Sequence, residues 1–419
     1  MTPQSFDIVI AGGGLVGATL ALALSQSTSC LSIAIVEAVP LRSDNQPSFD
    51  SRALAIAQGS RTLLEDYGVW QRVKEHAEPI HKIQVSDRGH IGKSYLKAEQ
   101  FNLSALGFVL EVRHLGKQLM DCLERNSPEP KNSLEPKNSL EPKNSLESKK
   151  KSVTWFCPAK ISQIEEHQDH LTLSLDDDQT LQAKLLLVAD GGQSQTRQLL
   201  KIDNHVSDYH QAAIIANVEV KHGHDNQAFE RFTETGPMAL LPLTDNRYSL
   251  VWCVAPDQVD TMLAWHDEQF LAELQNAFGY RAGELIKVGN RFSYPLALSA
   301  ANEIVSHRVA LVGNSSHTIH PIAGQGFNLG MRDIEALRQL ISQCIVDGQD
   351  IGSYAALRQY QQMRRQDLDT VINMTDSLVR LFSNDNKLLA LGRTMGLLTM
   401  QMFDNLKQPL ANQAMGFNK

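Results

Sequence analysis

What the chain lacks narrows its function first. It has no excess of positive charge. The formal net charge is -8, which argues against general binding to nucleic acid, since that needs a basic surface. The same balance argues against wholesale attraction to anionic lipid. No apolar run approaches the roughly 18 residues that a transmembrane helix needs. The N-terminus, Met1-Thr2-Pro3-Gln4-Ser5-Phe6-Asp7, carries no basic segment ahead of an apolar one. No signal peptide is expected, and the chain reads as cytoplasmic. Its five cysteines, Cys30, Cys122, Cys157, Cys253 and Cys344, are odd in number and none is paired at metal or redox spacing. Buried thiols in a reducing compartment, and no metal site, are the plain expectation. His222-x-His224 looks like a metal pair, but with no further ligand nearby it reads as a solvated loop. Core material, by contrast, is plentiful: hydrophobic residues make up 42% of 419, enough for two or three packed domains.

The first unit is an apolar β run at 6–11, a glycine turn at 12–17, an apolar helix at 18–25 and a second strand at 32–37. That is a βαβ unit. A short helix is expected at 59–67, ended by Gly68, then an alternating strand at 81–86 and an amphipathic helix at 113–125. The character then changes. Residues 128–148 repeat the hexamer Glu-Pro-Lys-Asn-Ser-Leu almost without variation. Proline in every repeat blocks regular helix and one leucine per repeat cannot build a core, so 128–150 reads as a disordered insertion. Several short β runs follow at 154–188. The β-rich stretch 208–254 suggests a separate antiparallel sheet, with clear strands at 238–241 and 248–254. Helix is expected at 267–278, a strand at 308–312, a helix at 328–345 and helix through most of the tail after Gly352.

The fold class that follows is α/β: a Rossmann-like dinucleotide domain, an inserted antiparallel β-sheet substrate domain and a C-terminal helical region. The expected division assigns 1–80, 104–204 and 286–345 to the first, 81–103 and 205–285 to the second, and 346–419 to the third.

The strongest local signal is Gly12-x-Gly14-x-x-Gly17 between strand and helix. Gly12 permits the tight turn, Gly14 lets main-chain N–H groups approach a pyrophosphate, and Gly17 lets the helix pack against the strand. Leu15 and Val16 complete that cradle. Glu37, about 20 residues on, can accept hydrogen bonds from a ribose diol. The fingerprint alone does not separate FAD from NAD.

Two later segments do. Residues 188–197, with Asp190-Gly191-Gly192, resemble the Asp-Gly motif of flavoprotein hydroxylases, which lies near the flavin; an ordinary strand-end turn would read the same way. Residues 308–333 resemble the second FAD motif of the para-hydroxybenzoate hydroxylase family. They include Gly313-Asn314 and the run His320-Pro321-Ile322-Ala323-Gly324-Gln325-Gly326-Phe327-Asn328-Leu329-Gly330-Met331-Arg332-Asp333. Asn314 stands where that family carries an Asp that binds the ribityl chain. Asn keeps the hydrogen-bonding capacity without the charge. Together with Asp50-Ser51-Arg52 and the tail 375–384, these motifs resemble the ubiquinone-biosynthesis hydroxylases, most of all the 2-octaprenyl-6-methoxyphenol hydroxylase group.

That resemblance implies an FAD-dependent monooxygenase that hydroxylates a polyprenylated phenol with NADH or NADPH and O2, through a flavin C4a-hydroperoxide. It implies a place at the inner membrane as a peripheral protein, and partners in a ubiquinone-biosynthesis complex. Arg52 and Arg113 would lie near the flavin and its phosphates, although a helix-start surface role suits Arg113 equally. Asp190, Asn314, Pro321, Gly324, Gln325, Gly326, Phe327 and Asn328 would line the cofactor. His320 and Pro321 would face the chemistry, with His317 nearby; a structural hydrogen-bonding role is the alternative for both histidines. The Trp-x-Trp-x-Ile-Pro run of a tryptophan halogenase is absent. A prenyl reductase, an epoxidase or a flavin-binding assembly subunit without turnover stay open as rivals.

Overall fold

The computed structural model describes residues 3–26, 31–40, 52–89, 92–125, 153–382 and 415–416. The hexamer repeats, Asp50-Ser51 and most of the expected helical tail lie outside these residues.

Long apolar runs build the first sheet. Five strands run parallel in the order Val309–Leu311, Thr180–Val188, Gln4–Ala11, Ile33–Val36 and Val153–Phe156. Ile8, Val9 and Ile10 are fully buried, as are Leu185, Leu186 and Leu187. Burial on both faces is why these strands read as continuous hydrophobic runs rather than alternating ones. The helix Leu15–Ser25 is buried from Gly17 onward and packs between Val112–Arg125 and Gln325–Val346. A hairpin, Ile161–Glu166 with Leu171–Leu175, adds antiparallel strands to the same sheet.

The second sheet has nine strands, ordered from His317–Thr318 through Phe292–Ala301, Asn204–Val220, Arg247–Val254, Gly236–Leu243, Gln227–Thr233 and Lys82–Asp87 to Lys93–Lys97, with Leu285–Val288 also on Asn204–Val220. It is antiparallel except where Gln227–Thr233 runs parallel to Lys82–Asp87. Helix Asp267–Phe278 covers its outer face through Phe270, Leu274 and Phe278. A small third sheet joins Ala53–Ala57, Gly107–Glu111 and Glu78–Ile80.

One expected boundary is corrected. Residues from 286 on were assigned to the cofactor domain, yet Phe292–Ala301 pairs along Asn204–Val220 from Ala301 opposite Asn204 to Phe292 opposite Ile215. Arg247–Val254 pairs with one edge of the 17-residue strand Asn204–Val220, and Phe292–Ala301 satisfies the main-chain groups of the other. His317–Thr318 then pairs with Ser299 and Ala300. The second sheet thus reaches into the loop of the second flavin-like motif.

The helix Tyr354–Phe382 packs against Gln325–Val346. Tyr360, fully buried, donates to the Leu311 carbonyl at 2.9 Å. Arg364 binds Asp333 at 2.6 Å and Asp367 at 2.6 Å, and Arg332 binds Asp367 at 2.7 Å. No described helix is long and apolar enough to cross a membrane.

Candidate cofactor and active site

The cleft begins where the first strand ends. Gly12 has φ +97°, and a Cβ there would sit 2.6 Å from the Ala189 carbonyl oxygen. A Cβ on Gly17 would lie 1.9 Å from the Gly12 oxygen. The fingerprint glycines are therefore required by backbone-on-backbone contact. Gly14 caps the helix Leu15–Ser25 with no side-chain hydrogen bond and no acidic residue in the first turn. The N–H groups of Leu15, Val16 and Gly17 have no intrahelical partner, which makes an anion site.

Glu37 folds back over this turn. Its carboxylate accepts from Gly13 N at 2.6 Å and from Val39 N at 2.8 Å. Each oxygen keeps a lone pair for a diol. Gly12, Gly14, Glu37, Lys160, Asp190 and Gln193 line one cavity of about 440 Å³. Asp190 accepts from Thr196 N at 3.1 Å through Oδ2, while its Oδ1 is buried without a protein partner.

The second motif meets the first through Val16. Methyl groups of Val16 lie 3.2 Å from where a Cβ on Gly313 would sit and 3.1 Å from one on Gly330. Gly313 (φ +61°) donates its N–H to the fully buried Asp333 at 2.9 Å. Arg197, also buried, donates to Ser315 O at 2.7 Å and Gly192 O at 3.2 Å, sewing the Asp-Gly segment to the second motif. Asn314 is exposed beside that seam. The helix Gln325–Val346 starts at Gly324 (φ +59°) with no side-chain cap, and Gly326 faces open space.

Three expected site residues land differently. The Asn328 amide donates to Ala55 O and Gly324 O, both at 2.8 Å, and accepts from Ala57 N at 2.9 Å. Its side chain pins the strand Ala53–Ala57, leaving only its main chain to touch a cofactor. Arg52 sits 5.3 Å over the Tyr294 ring. Arg113 is half exposed and pairs with Glu111 at 3.0 Å. Neither arginine lines the 440 Å³ cavity. Nor is His224 solvated: its Nε2 lies 2.7 Å from Leu243 O and its Nδ1 accepts from Asn226 N at 3.1 Å.

His317 and His320 are both buried. Nε2 of His320 lies 3.1 Å from Gln211 Oε1, and its Nδ1 has no partner among the described residues. Burial pushes its pKa down to about 4, because the charged form is desolvated. Burial also lowers His317. Pro321, half-buried, opens the turn Ile322–Gly324. Sequence reasoning missed Arg197, Asp333 and Gln211. The first two stand inside the quoted motifs, but each also binds a group outside its own motif, Arg197 the Ser315 carbonyl and Asp333 the Arg364 guanidinium.

The donor set fits FAD: a glycine cradle that any Cβ would fill, two uncapped helix starts, an acid at the ribose position and an orphaned Asp190 oxygen. The family model described as FAD binding domain matches residues 5–375. The chain belongs to the FAD binding domain family. Its cofactor is FAD, and it is a flavoprotein monooxygenase dependent on NAD(P)H and O2. It is 36% identical to a ubiquinone hydroxylase of Rhodospirillum rubrum, over 98% of this chain and 89% of that one. It is 31% identical to 3-demethoxyubiquinol 3-hydroxylase of Escherichia coli, over 99% and 100%. Among solved structures it resembles p-nitrophenol 4-monooxygenase of Pseudomonas putida, with TM-score 0.75 at 15% identity over 98% and 99% of the two chains. It also resembles Klebsiella pneumoniae HpxO complexed with FAD, with TM-score 0.72 at 16% identity over 98% of each. These structural likenesses show the fold alone: a cofactor domain beside a large, mostly antiparallel sheet.

Proposed function

We propose that this enzyme hydroxylates the aromatic ring of a polyprenylated phenol in ubiquinone biosynthesis, taking electrons from NADH or NADPH. The observation that carries the substrate class is the full-length similarity to proteins named as ubiquinone hydroxylases. An apolar wall supports it. Phe232 of the second sheet, Ile322 of the flavin loop and Val379 of the last described helix are buried together, with Val85 and Tyr209 against them.

Gly12, Gly14, Leu15, Val16 and Gly17 would hold the pyrophosphate, Glu37 the ribose, and Asp190 with Asn314 the ribityl hydroxyls. Main-chain groups from Pro321 to Asn328, including Gly324, Gln325, Gly326 and Phe327, would face the ring system. FAD bound there would supply the redox chemistry that passes electrons from the nicotinamide to O2, one oxygen atom going to the ring and the other to water. The protein's part is to bind, orient and exclude water. Uncapped N–H groups at the start of Gln325–Val346 favour negative charge beside them. Arg52 and Arg113 would have to swing from their present partners to reach a phosphate. His320 and Pro321 would face the reacting ring. A polyprenyl tail partitions into a bilayer, so the enzyme is proposed to work peripherally at the inner membrane, beside the other enzymes of ubiquinone biosynthesis.

The test is turnover. Purified yellow protein should oxidise NADH or NADPH faster with a prenylated phenol, and label from ¹⁸O2 should enter the ring. Deleting the gene should make the unhydroxylated precursor accumulate. Phenol-independent oxidation with unlabelled product would defeat the proposal.

A further inference from the structure

The strand Asn204–Val220 does not pair evenly. Its register against Phe292–Ala301 shifts between Asp208 and Gln211, and His210 takes the left-handed conformation at φ +53°. The His210 N–H is held by Asp208 Oδ1 at 2.7 Å. Such bulges re-aim side chains, often next to active sites. Here the re-aimed side chain is Gln211, buried at 8% exposure.

Room for it comes from Gly236–Leu243, the strand beyond Arg247–Val254. Gly236 has φ +134°, and a Cβ there would lie 2.8 Å from Cys253 Cβ and 3.0 Å from Gln211 Nε2. The amide oxygen of Gln211 meets His320 Nε2 at 3.1 Å. An amide oxygen only accepts, so Nε2 carries the proton and Nδ1 is a bare acceptor. Among the described residues, that Nδ1 is buried with no partner. A buried acceptor left unpaired is costly, so its partner is expected from outside the chain.

The other groups around the imidazole keep it neutral. The Cys253 thiol on Arg247–Val254 lies 3.9 Å from Nε2 and is held protonated by burial. The Tyr209 ring on Asn204–Val220 packs edge-on, with centroids 5.2 Å apart. No charged group offsets the burial of His320.

We propose that Gln211 is a positioning residue that locks His320 in the Nε2–H tautomer, so that Nδ1 accepts the hydrogen bond of the substrate's ring hydroxyl. The inference rests on the phenol-hydroxylating reading above. Accepting that hydrogen bond raises electron density on the ring without removing its proton, which suits attack by an electrophilic oxygen. A neutral imidazole does this where an imidazolium, a donor at both nitrogens, does not.

The experiment uses FAD-loaded protein with ¹⁵N-labelled histidine and two variants, Gln211→Glu and Gln211→Met. In the wild type, His320 should show a protonated Nε2 and a bare Nδ1 from about pH 5 to 9. A carboxylate at 211 favours the imidazolium. In Gln211→Glu, kcat should therefore fall about tenfold on the acid side of a new titration and recover above it, with KM little changed. Gln211→Met, with no oxygen to accept, should lower kcat several-fold at every pH and divert reducing equivalents to H2O2. A folded, yellow Gln211→Glu with wild-type kcat and no new titration overturns the proposal, as does a wild-type Nδ1–H. Failure of the wild type to hydroxylate any phenol overturns the functional reading and the acceptor role with it. Normal phenol turnover with insensitive Gln211 variants overturns this inference alone.

Discussion

The glycine cleft and the Gln211–His320 face of the second sheet are built by opposite means. At the cleft, main chain touches main chain: Gly17 against the Gly12 carbonyl, and Gly12 against Ala189. On the second sheet, side chains meet across the chain, as Gln211 meets His320. A backbone contact forces a residue type at a fixed spacing, so it is written in the sequence. A side-chain contact can be made by many pairs at any separation, so it is not. The same contrast says how each region should fail: the cleft by steric exclusion, the Gln211–His320 face by protonation.

The largest effect is expected from Gly17→Ala. Its new methyl would fall 1.9 Å from a main-chain oxygen with no flexible neighbour to give way. FAD affinity should drop by at least about a hundredfold, or roughly 3 kcal/mol, read by flavin titration. Retained affinity would mean that the cradle is looser than its contacts require.

Arg197→Met comes next. It leaves the Ser315 and Gly192 carbonyls without their buried donor, at a cost of about 2–4 kcal/mol, measured by denaturant unfolding of the apo-protein. The loss should be larger with FAD present, because a distorted site binds FAD more weakly and gains less stability from it. Equal loss with and without FAD would show that the seam between the two motifs does not shape the cofactor site.

The third test is pH. His320 has its folded pKa lowered from 6.5 to about 4. Between those values the unfolded chain binds the proton and the folded one does not. Stability should therefore decline by about 3 kcal/mol as pH falls from 6.5 to 4 and then level off. His320→Gln should remove that share of the slope, with His317 still contributing in the same direction. An unchanged slope in the variant would place the titration elsewhere.

The smallest effect belongs to Arg113→Ala. The arginine is half exposed, and Glu111 keeps Arg247 as a second partner at 3.3 Å. Loss of stability should stay within about 0.5 kcal/mol. A large loss of FAD affinity at unchanged stability would instead show that Arg113 swings onto a phosphate.

Legibility followed the same division. The helix Asp267–Phe278 matches its expected bounds because its apolar periodicity and the Gly279 stop at φ +82° are local. The helix after the second motif begins at Gln325 rather than 328, since glycines at its start hid the first turn. Arg308 was read into a strand, yet it turns a hairpin at φ +56° while its guanidinium binds Gln168, Lys184 and Asp350. Asn328 was read as a cofactor ligand because it sits in a cofactor motif; its partners, Ala55 and Ala57, are some 270 residues away. Phe292–Ala301 was assigned to the wrong sheet because its serines, alanines and Pro295 carry no strong pattern. Its place is set by the open edge of Asn204–Val220.

Titrating purified apo-protein with FAD tests the central claim most directly, that segments around 12–37, 190–197 and 313–328 enclose one flavin. The expected result is saturation at one FAD per chain, followed by reduction with NADH or NADPH that quickens when a prenylated phenol is added. A folded protein that takes up no FAD would contradict the account at its root.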